Sequence, residues 1–348
     1  MGETQRRPSD RTTFTHSQFT HSKLKTIRWG ILAPGHIAHK FAQDLARVEG
    51  AKLIAVASRE LERAQAFAQE YDAPYAYGSY AELAGCPELD IVYIASPHVG
   101  HHAHTLLCLD AGLGVLCEKP FGMNLGQVED MVQSARGKKL FLMEALWSRF
   151  MPTTLKTLEL IRQGTIGKVL GVRADFGFQA VKDPRKRLFN KELGGGALLD
   201  IGIYPLFWSY ALLGMPATVK ASSIFSDTGV DVSTGMVLTY DSEAFAFLDC
   251  TLLARTDCEA IVYGELGCIR VHSRWHNSQT LTLELTDSEP KQYDFKREAH
   301  GYNYEIESVG HALRAGLTEN PDWSHQDSRN LMTLLDQVRE EIGLRYNE

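Results

Sequence analysis

Cysteine is scarce and unpaired in this sequence: six thiols in 348 residues, at Cys86, Cys108, Cys117, Cys250, Cys258 and Cys268, with no Cys-x-x-Cys spacing. That excludes a disulfide-stapled secreted fold and predicts reduced thiols in a cytoplasmic protein. No apolar run follows Met1-Gly2-Glu3, Arg6 stands where an N-myristoylation motif needs Ser or Thr, and no stretch reads as long and apolar enough to span a bilayer. Neither insertion nor anchoring is expected. A basic surplus is also missing: 36 Lys and Arg against 43 Asp and Glu leave a net charge of −7, which offers no field to attract phosphate backbones. No nucleic-acid partner is expected, and a small-molecule ligand is.

The length and a 44% hydrophobic content predict two globular domains. Residues 1 to about 25 are polar, repeat Thr15-His16-Ser17 at Thr20-His21-Ser22, and read as a disordered tail. Ile27 to Leu32 reads as a buried strand, and Ile37, Phe41, Leu45 and Val48 recur at helical spacing. Apolar runs at Lys52–Ala57, Leu89–Ala95, Gly114–Cys117 and Lys139–Met143 alternate with helical patterns at 60–71, 103–111 and 126–136. About five strands joined by helices predict a doubly wound, Rossmann-type parallel sheet over 26–146. Over 147–348 one helix (153–163) precedes extended segments such as 169–178, 219–225, 236–240 and 244–253, and an amphipathic C-terminal helix covers 328–342. The expected class is therefore α/β, with an N-terminal Rossmann domain and a C-terminal α+β domain built on a large, mostly antiparallel open sheet.

The segment Gly30-Ile31-Leu32-Ala33-Pro34-Gly35-His36-Ile37-Ala38 lies where a G-x-G-x-x-G/A fingerprint belongs, with Ala33 in place of its first glycine. Gly35 lets backbone amides approach a pyrophosphate, and the helix N-terminus adds partial positive charge. Ser58-Arg59 occupies the end of the second strand, where an NAD enzyme places an acid to accept from the ribose 2′-OH. A hydroxyl and a guanidinium suit a 2′-phosphate, so NADP is the expected cofactor, with NAD possible through Glu60 if the strand ends one residue later. Ser96-Pro97-His98-Val99-Gly100-His101 follows the third run, at the carboxyl end where open α/β sheets bind ligands. The histidines His98, His101, His102 and His104 lack cysteine or carboxylate ligands spaced with them, and no metal is expected.

Three further segments, Glu118-Lys119-Pro120, Gly194-Gly195-Gly196-Ala197-Leu198-Leu199-Asp200-Ile201-Gly202-Ile203-Tyr204-Pro205 and Met143-Glu144-Ala145-Leu146-Trp147-Ser148-Arg149-Phe150, carry a family likeness. Together they resemble the glucose-fructose oxidoreductase and inositol dehydrogenase (Gfo/Idh/MocA) family, in the branch of dimeric dihydrodiol dehydrogenases and NADP-dependent D-xylose dehydrogenases. The likeness runs from about Ile27 to the C-terminus. It implies that Lys119, Asp200 and Tyr204 are catalytic, with Tyr204 as the acid/base and Glu118 and Lys119 beside the nicotinamide. It implies no metal. The chain departs from the family's more common T-P-N-x-x-H wording by carrying Ser96 and His98. The chemistry is coherent, because a neighbouring ammonium favours a tyrosine's phenolate and so helps it take an alcohol proton.

Asp200 and Tyr204 are four residues apart, so on a helix they share a face; otherwise Asp200 reads as an N-cap and Tyr204 as a half-buried core residue. Trp147 and Arg149 are expected at the domain junction, with Trp147 as an apolar wall for a sugar or diol, or as packing. Phe176 and Phe178 line the same cleft or simply the sheet. Lys182-Asp183-Pro184-Arg185-Lys186-Arg187 is a solvated loop or a mobile basic loop that closes over substrate. The leading expectation is hydride transfer between NADP and a CH–OH group of a D-xylose-like sugar or a trans-dihydrodiol. A non-catalytic NAD(P)-binding regulator and a sugar–sugar oxidoreductase with a tightly held cofactor are the competing readings. An open sheet rich in Val, Ile and Phe further predicts a homodimer through that sheet, as the family likeness also implies.

Overall fold

The structure, a computed structural model, describes residues 24–346. The proposed tail therefore lies outside the described residues except for its last two positions. Two compact units emerge: one runs to Phe150 and takes up Arg297–Arg329, and the other comprises Met151–Lys296 and the chain from Asn330.

The first unit carries β1 (Ile27–Leu32), α1 (His36–Leu45), β2 (Ala51–Ala57), α2 (Leu61–Glu70), β3 (Tyr75–Tyr77), α3 (Tyr80–Ala84), β4 (Ile91–Ile94), α4 (His101–Asp110), β5 (Gly114–Glu118), α5 (Leu125–Lys138) and β6 (Leu142–Ala145). Its six strands are parallel in the order β3-β2-β1-β4-β5-β6, the doubly wound arrangement expected of a Rossmann unit. The extra strand, β3, is only three residues long, too short to show a pattern in sequence. The last strand starts at Leu142 rather than Lys139, because Lys139 is the left-handed residue that ends α5.

The second unit follows with α6 (Pro152–Arg162), β7 (Val169–Gly177), α7 (Ile203–Leu213), β8 (Thr218–Phe225), β9 (Asp231–Thr239), β10 (Phe245–Thr251), β11 (Ala260–Gly264), β12 (Gly267–Val271), β13 (Thr280–Leu285) and β14 (Lys291–Asp294). These eight strands form one sheet in the order β14-β13-β12-β11-β7-β10-β9-β8, antiparallel except where β10 lies parallel to β7. Helix α7 packs against β7 and β10.

The expectation that everything after 147 forms one domain needs correction. Arg297–Arg329, with α8 (Tyr302–Arg314), belongs to the Rossmann unit. Asp44 of α1, fully buried, accepts from the backbone N–H groups of His300, Gly301, Tyr302 and Asn303 at 2.8–3.3 Å and so caps α8 across 256 or more residues. Leu142 N donates to Thr318 O, and His325 Nε2 contacts Leu142 O at 2.9 Å. Helix α9 (His325–Ile342) begins three residues earlier than its apolar pattern. A capping box explains the early start: Ser324 N donates to Asp327 Oδ2 at 2.8 Å, and Asp327 N to Ser324 Oγ at 3.3 Å.

A second correction concerns membrane spans. Lys191–Leu213 is long and apolar enough to cross a bilayer, but it is largely buried inside the fold, as in a core helix.

Candidate active site

In the Rossmann unit the β1–α1 turn is shaped for a dinucleotide. Ala33 adopts the left-handed conformation (φ 66°), the place where the fingerprint's first glycine would sit without strain. Gly35 caps α1 in an extended conformation with no side-chain cap, and a Cβ built on it would meet nothing nearer than 4.0 Å. The start of this ten-residue helix has no side-chain cap and a glycine with room beside it, as the approach of a pyrophosphate requires. Gly30 is different: its Cα faces Leu89 and Val92, a packing role inside the sheet. His36 is exposed and Ile37 half-buried at the helix start.

At the end of β2, Ser58 is buried and its Oγ accepts from Glu60 N at 3.3 Å, while Arg59 and Glu60 are exposed. Arg63, one turn further along α2, was not singled out by the sequence. Both guanidinium groups act on Tyr80, pulling its phenol down against the stronger upward push of burial. Two cations four residues apart are a stronger 2′-phosphate signal than Arg59 alone.

Beyond β4 the ring of His101 is fully buried, with Nδ1 2.7 Å from Pro120 O and Nε2 2.9 Å from Ser96 O. Burial, and then repulsion from His104 and Lys119, drive its pKa down to about 4 against the pull of those carbonyls. The ring bridges the Ser96 and Pro120 carbonyls, and as a neutral imidazole it donates to one of them. His101 thereby holds the turn after β5 that presents half-buried Lys119. His98 is buried edge-on to His101 at 5.7 Å, and Ser96 Oγ lies 2.9 Å from His104 Nδ1. Pro97 is exposed at the head of this turn. Glu118 is buried, accepting from Tyr93 Oη at 2.5 Å and from Lys119 N at 3.2 Å. Among the described residues no group of three or more His, Cys, Asp or Glu side chains could hold a metal.

Trp147 and Arg149, expected at a domain junction, are both engaged inside the Rossmann unit. Trp147 stacks on Tyr302 with ring centres 4.8 Å apart, and Arg149 Nη2 pairs with Asp322 Oδ1 at 3.2 Å.

The second unit holds the other predicted residues. Gly194–Gly196 leads into a π-helical turn, Leu198–Gly202, that runs directly into α7. Asp200 lies within that turn, not at an N-cap, and Tyr204 in the first turn of α7. The basic loop resolves into distinct roles. Lys182 pairs with Asp227, Arg185 with Asp183, and Arg187 Nη2 with Asp200 Oδ1 at 2.7 Å. Arg187 thus fixes the carboxylate that the sequence motif singled out.

Around Tyr204 stands a set of rings that sequence reasoning only half found. Phe176 lies 5.4 Å from Tyr204 and stacks on His276 at 4.2 Å with 14° between planes; His276 is in turn 5.4 Å from Tyr204. His276 precedes β13 with no spacing to mark it, so no sequence signal pointed to it. Phe176 and Phe178 both pack against the core cluster of Phe189, Ala197, Ile201 and Val232. Tyr204, 6% exposed, stands among these rings in the helix that follows the turn bearing Asp200, whose carboxylate pairs with Arg187 from the preceding loop.

Comparison with known proteins extends this picture. Residues 27–146 match an oxidoreductase family with an NAD-binding Rossmann fold, and residues 154–270 match the GFO/IDH/MocA C-terminal domain. The chain is 38% identical over 331 residues to trans-1,2-dihydrobenzene-1,2-diol dehydrogenase of Danio rerio, spanning 92% of this chain and 98% of the relative. The Homo sapiens enzyme of the same name is 37% identical with the same coverage. Among solved structures, a 3-ketoreductase from Actinomadura kijaniata with NADP and TDP-benzene superposes with a TM-score of 0.82 at 26% identity, over 91% of this chain and 98% of that one. A levoglucosan dehydrogenase at 17% identity has a TM-score of 0.84 over 91% and 97%, a likeness of fold.

Proposed function

Because the chain belongs to the GFO/IDH/MocA oxidoreductase family and is an NAD(P)-dependent dehydrogenase of CH–OH groups, we propose that it oxidises a vicinal trans-diol on a six-membered ring, or a pyranose of the D-xylose type, with NADP⁺. The observation that carries this reading is the ring set of Phe176, His276 and Tyr204: a stacked apolar wall suits the carbon face of a cyclic diol or sugar, and the phenol beside it suits the hydroxyl. NADP⁺, when bound, supplies the hydride acceptor. Gly35 and the free amides of α1 would hold its pyrophosphate, and Arg59 with Arg63 the 2′-phosphate. Tyr204 takes the proton of the substrate hydroxyl, Asp200 under the Arg187 ion pair orients that hydroxyl, and Lys119 supplies the charge that favours an oxyanion during oxidation.

Two further assignments belong to the reading. The open face of the eight-stranded sheet carries exposed Ile224, Phe245 and Phe247 at 59%, 46% and 52%, together with a groove of about 340 Å³ lined by Leu170, Arg173 and Tyr263 among others. That apolar face supports a homodimer through the sheet. Six cysteines without a disulfide support a cytoplasmic setting.

The test is reduced-nicotinamide absorbance with NADP⁺ or NAD⁺ against trans-1,2-dihydrobenzene-1,2-diol and D-xylose. Turnover with NADP⁺ is expected to fall by about 10³-fold or more in Lys119→Met and Tyr204→Phe. Arg59→Ala should weaken NADP⁺ and spare NAD⁺. Turnover that survives Lys119→Met, or a native preference for NAD⁺, sinks the corresponding assignment.

A further inference from the structure

The glycine run ahead of Tyr204 is gripped from two distant parts of its own unit. Gly195 has both backbone groups engaged: its N–H donates to Asn190 O at 3.0 Å, and its carbonyl accepts from Tyr346 Oη at 2.6 Å. Tyr346 is buried, two residues before the end of the chain, and Arg339 stacks on its ring with the guanidinium 5.0 Å from the ring centre. Gly196 N donates to Leu188 O at 2.9 Å, next to the Arg187 that pairs with Asp200.

From the other side comes Asp231, the first residue of β9, fully buried. Its Oδ2 accepts from Leu198 N at 2.7 Å and from Thr234 Oγ1 at 3.0 Å. Its Oδ1 has no hydrogen-bond partner among the described residues and lies against Gly196, where a Cβ would come within 2.2 Å of it. Gly196 also holds φ at 121°, so no other residue fits that position without moving the carboxylate. A buried carboxylate with one oxygen unbonded is costly as a purely structural element. Here it is placed where its other oxygen sets the N–H that begins the turn bearing Asp200.

We propose that Asp231 and Tyr346 form a clamp on Gly195–Leu198 that fixes the rotation of the following helical segment, and hence the direction in which the Tyr204 phenol points. Both are positioning residues for the base, neither touching substrate. Two anchors 33 and 151 residues away in sequence from the atoms they hold converge on four consecutive residues. The turn that bears Asp200 and leads into the helix of Tyr204 is π-helical, a rare geometry found mostly as single turns at functional sites. The clamp rests on the reading of Tyr204 as the base, and the experiment separates the two.

Tyr346→Phe removes one hydroxyl, and Asp231→Asn keeps an acceptor of the same shape. In Tyr346→Phe, hydrogen–deuterium exchange should speed up over residues 195–204 while the Rossmann unit is unchanged. In the assay with NADP⁺ and trans-1,2-dihydrobenzene-1,2-diol, kcat should fall about tenfold. Dissociation constants for NADP⁺ should not move. Asp231→Asn should recover at least part of the rate lost in Asp231→Ala. The decisive comparison is Tyr346→Phe placed on Tyr204→Phe, which should cost nothing more, because a residue that acts only by aiming the phenol has nothing left to aim. Unchanged exchange over 195–204, an unchanged kcat, or a loss that adds in full to that of Tyr204→Phe overturns the clamp. If Tyr204→Phe is itself silent in turnover, the assignment of the base falls, and the exchange measurement alone decides whether the clamp exists.

Discussion

Every residue of β4, β5 and β6 is buried, whereas along β10 exposed Phe245, Phe247 and Asp249 alternate with buried Ala246, Leu248 and Cys250. Parallel strands need helical crossovers, and crossovers on both faces leave no face for water. The eight-stranded sheet is built largely from antiparallel neighbours, so only one face requires cover, and α7 and the segment before it supply it. The difference explains how one chain divides its labour. The sheet closed on both faces places Ala33, Ser58, Ser96 and Lys119 just beyond the carboxyl ends of β1, β2, β4 and β5. The open sheet carries Phe176 and packs the helix bearing Tyr204, the proposed base, on its covered face, and leaves Phe245 and Phe247 exposed beside Asp249 on the other.

The contrast can be broken most completely at Phe247. If the open face is an interface, Phe247→Asp should turn a dimer into a monomer by light scattering, with the monomer still folded; an unchanged mass in solution removes the sheet face from the assembly. A matched pair of truncations sharpens the same point. Leu116→Ala, in the middle of β5 and fully buried, should cost about 2–5 kcal/mol in denaturant unfolding. Phe247→Ala should cost the isolated protomer far less, and equal losses would mean the open face is as packed as the closed one.

The smallest effect is the pH dependence of the buried acids. Burial pushes Glu144 of the Rossmann unit up to about 7, against hydrogen bonds from Ser328, Trp323 and the Phe121 amide. In the sheet unit burial pushes Asp231 up to about 6. Both are raised carboxylates, so the stability they contribute is complete below their ordinary values near about 4 and is lost as pH rises through about 6 and then 7. Thermal stability should fall over that window by no more than about 3 kcal/mol for Glu144, and Glu144→Gln should flatten the upper part of the curve. A curve of unchanged slope in the variant places the titration elsewhere.

Much of the nucleotide turn could be read in advance because it is local. The run Gly30 to Ala38 carries strand, turn and helix in nine consecutive residues, and Ala33 at φ 66° sits where its glycine was missed. The helical setting of Asp200 and Tyr204 was likewise legible, although the π-helical turn that bears Asp200 was not. The hidden elements share a cause. Arg297–Arg329 returns to the Rossmann unit through the Asp44 cap, His276 joins Phe176 across a hundred residues of sequence, and Tyr346 reaches Gly195 across 151. Such pairings leave no periodicity, since nothing in a strand or helix repeat records which distant amide a carboxylate will cap.

By itself the sequence determined the alternation of strand and helix, the turn chemistry at Gly35 and the residue types able to move a proton beside a nicotinamide, because each depends on neighbours within a few positions of the chain. Tertiary structure alone decided which acids are buried, which arginine holds Asp200, which rings surround Tyr204 and where Tyr346 anchors. Those follow from the register of long-range packing, where a hydrogen bond or a stacked ring is set by the folding of the whole unit rather than by any local run of residues.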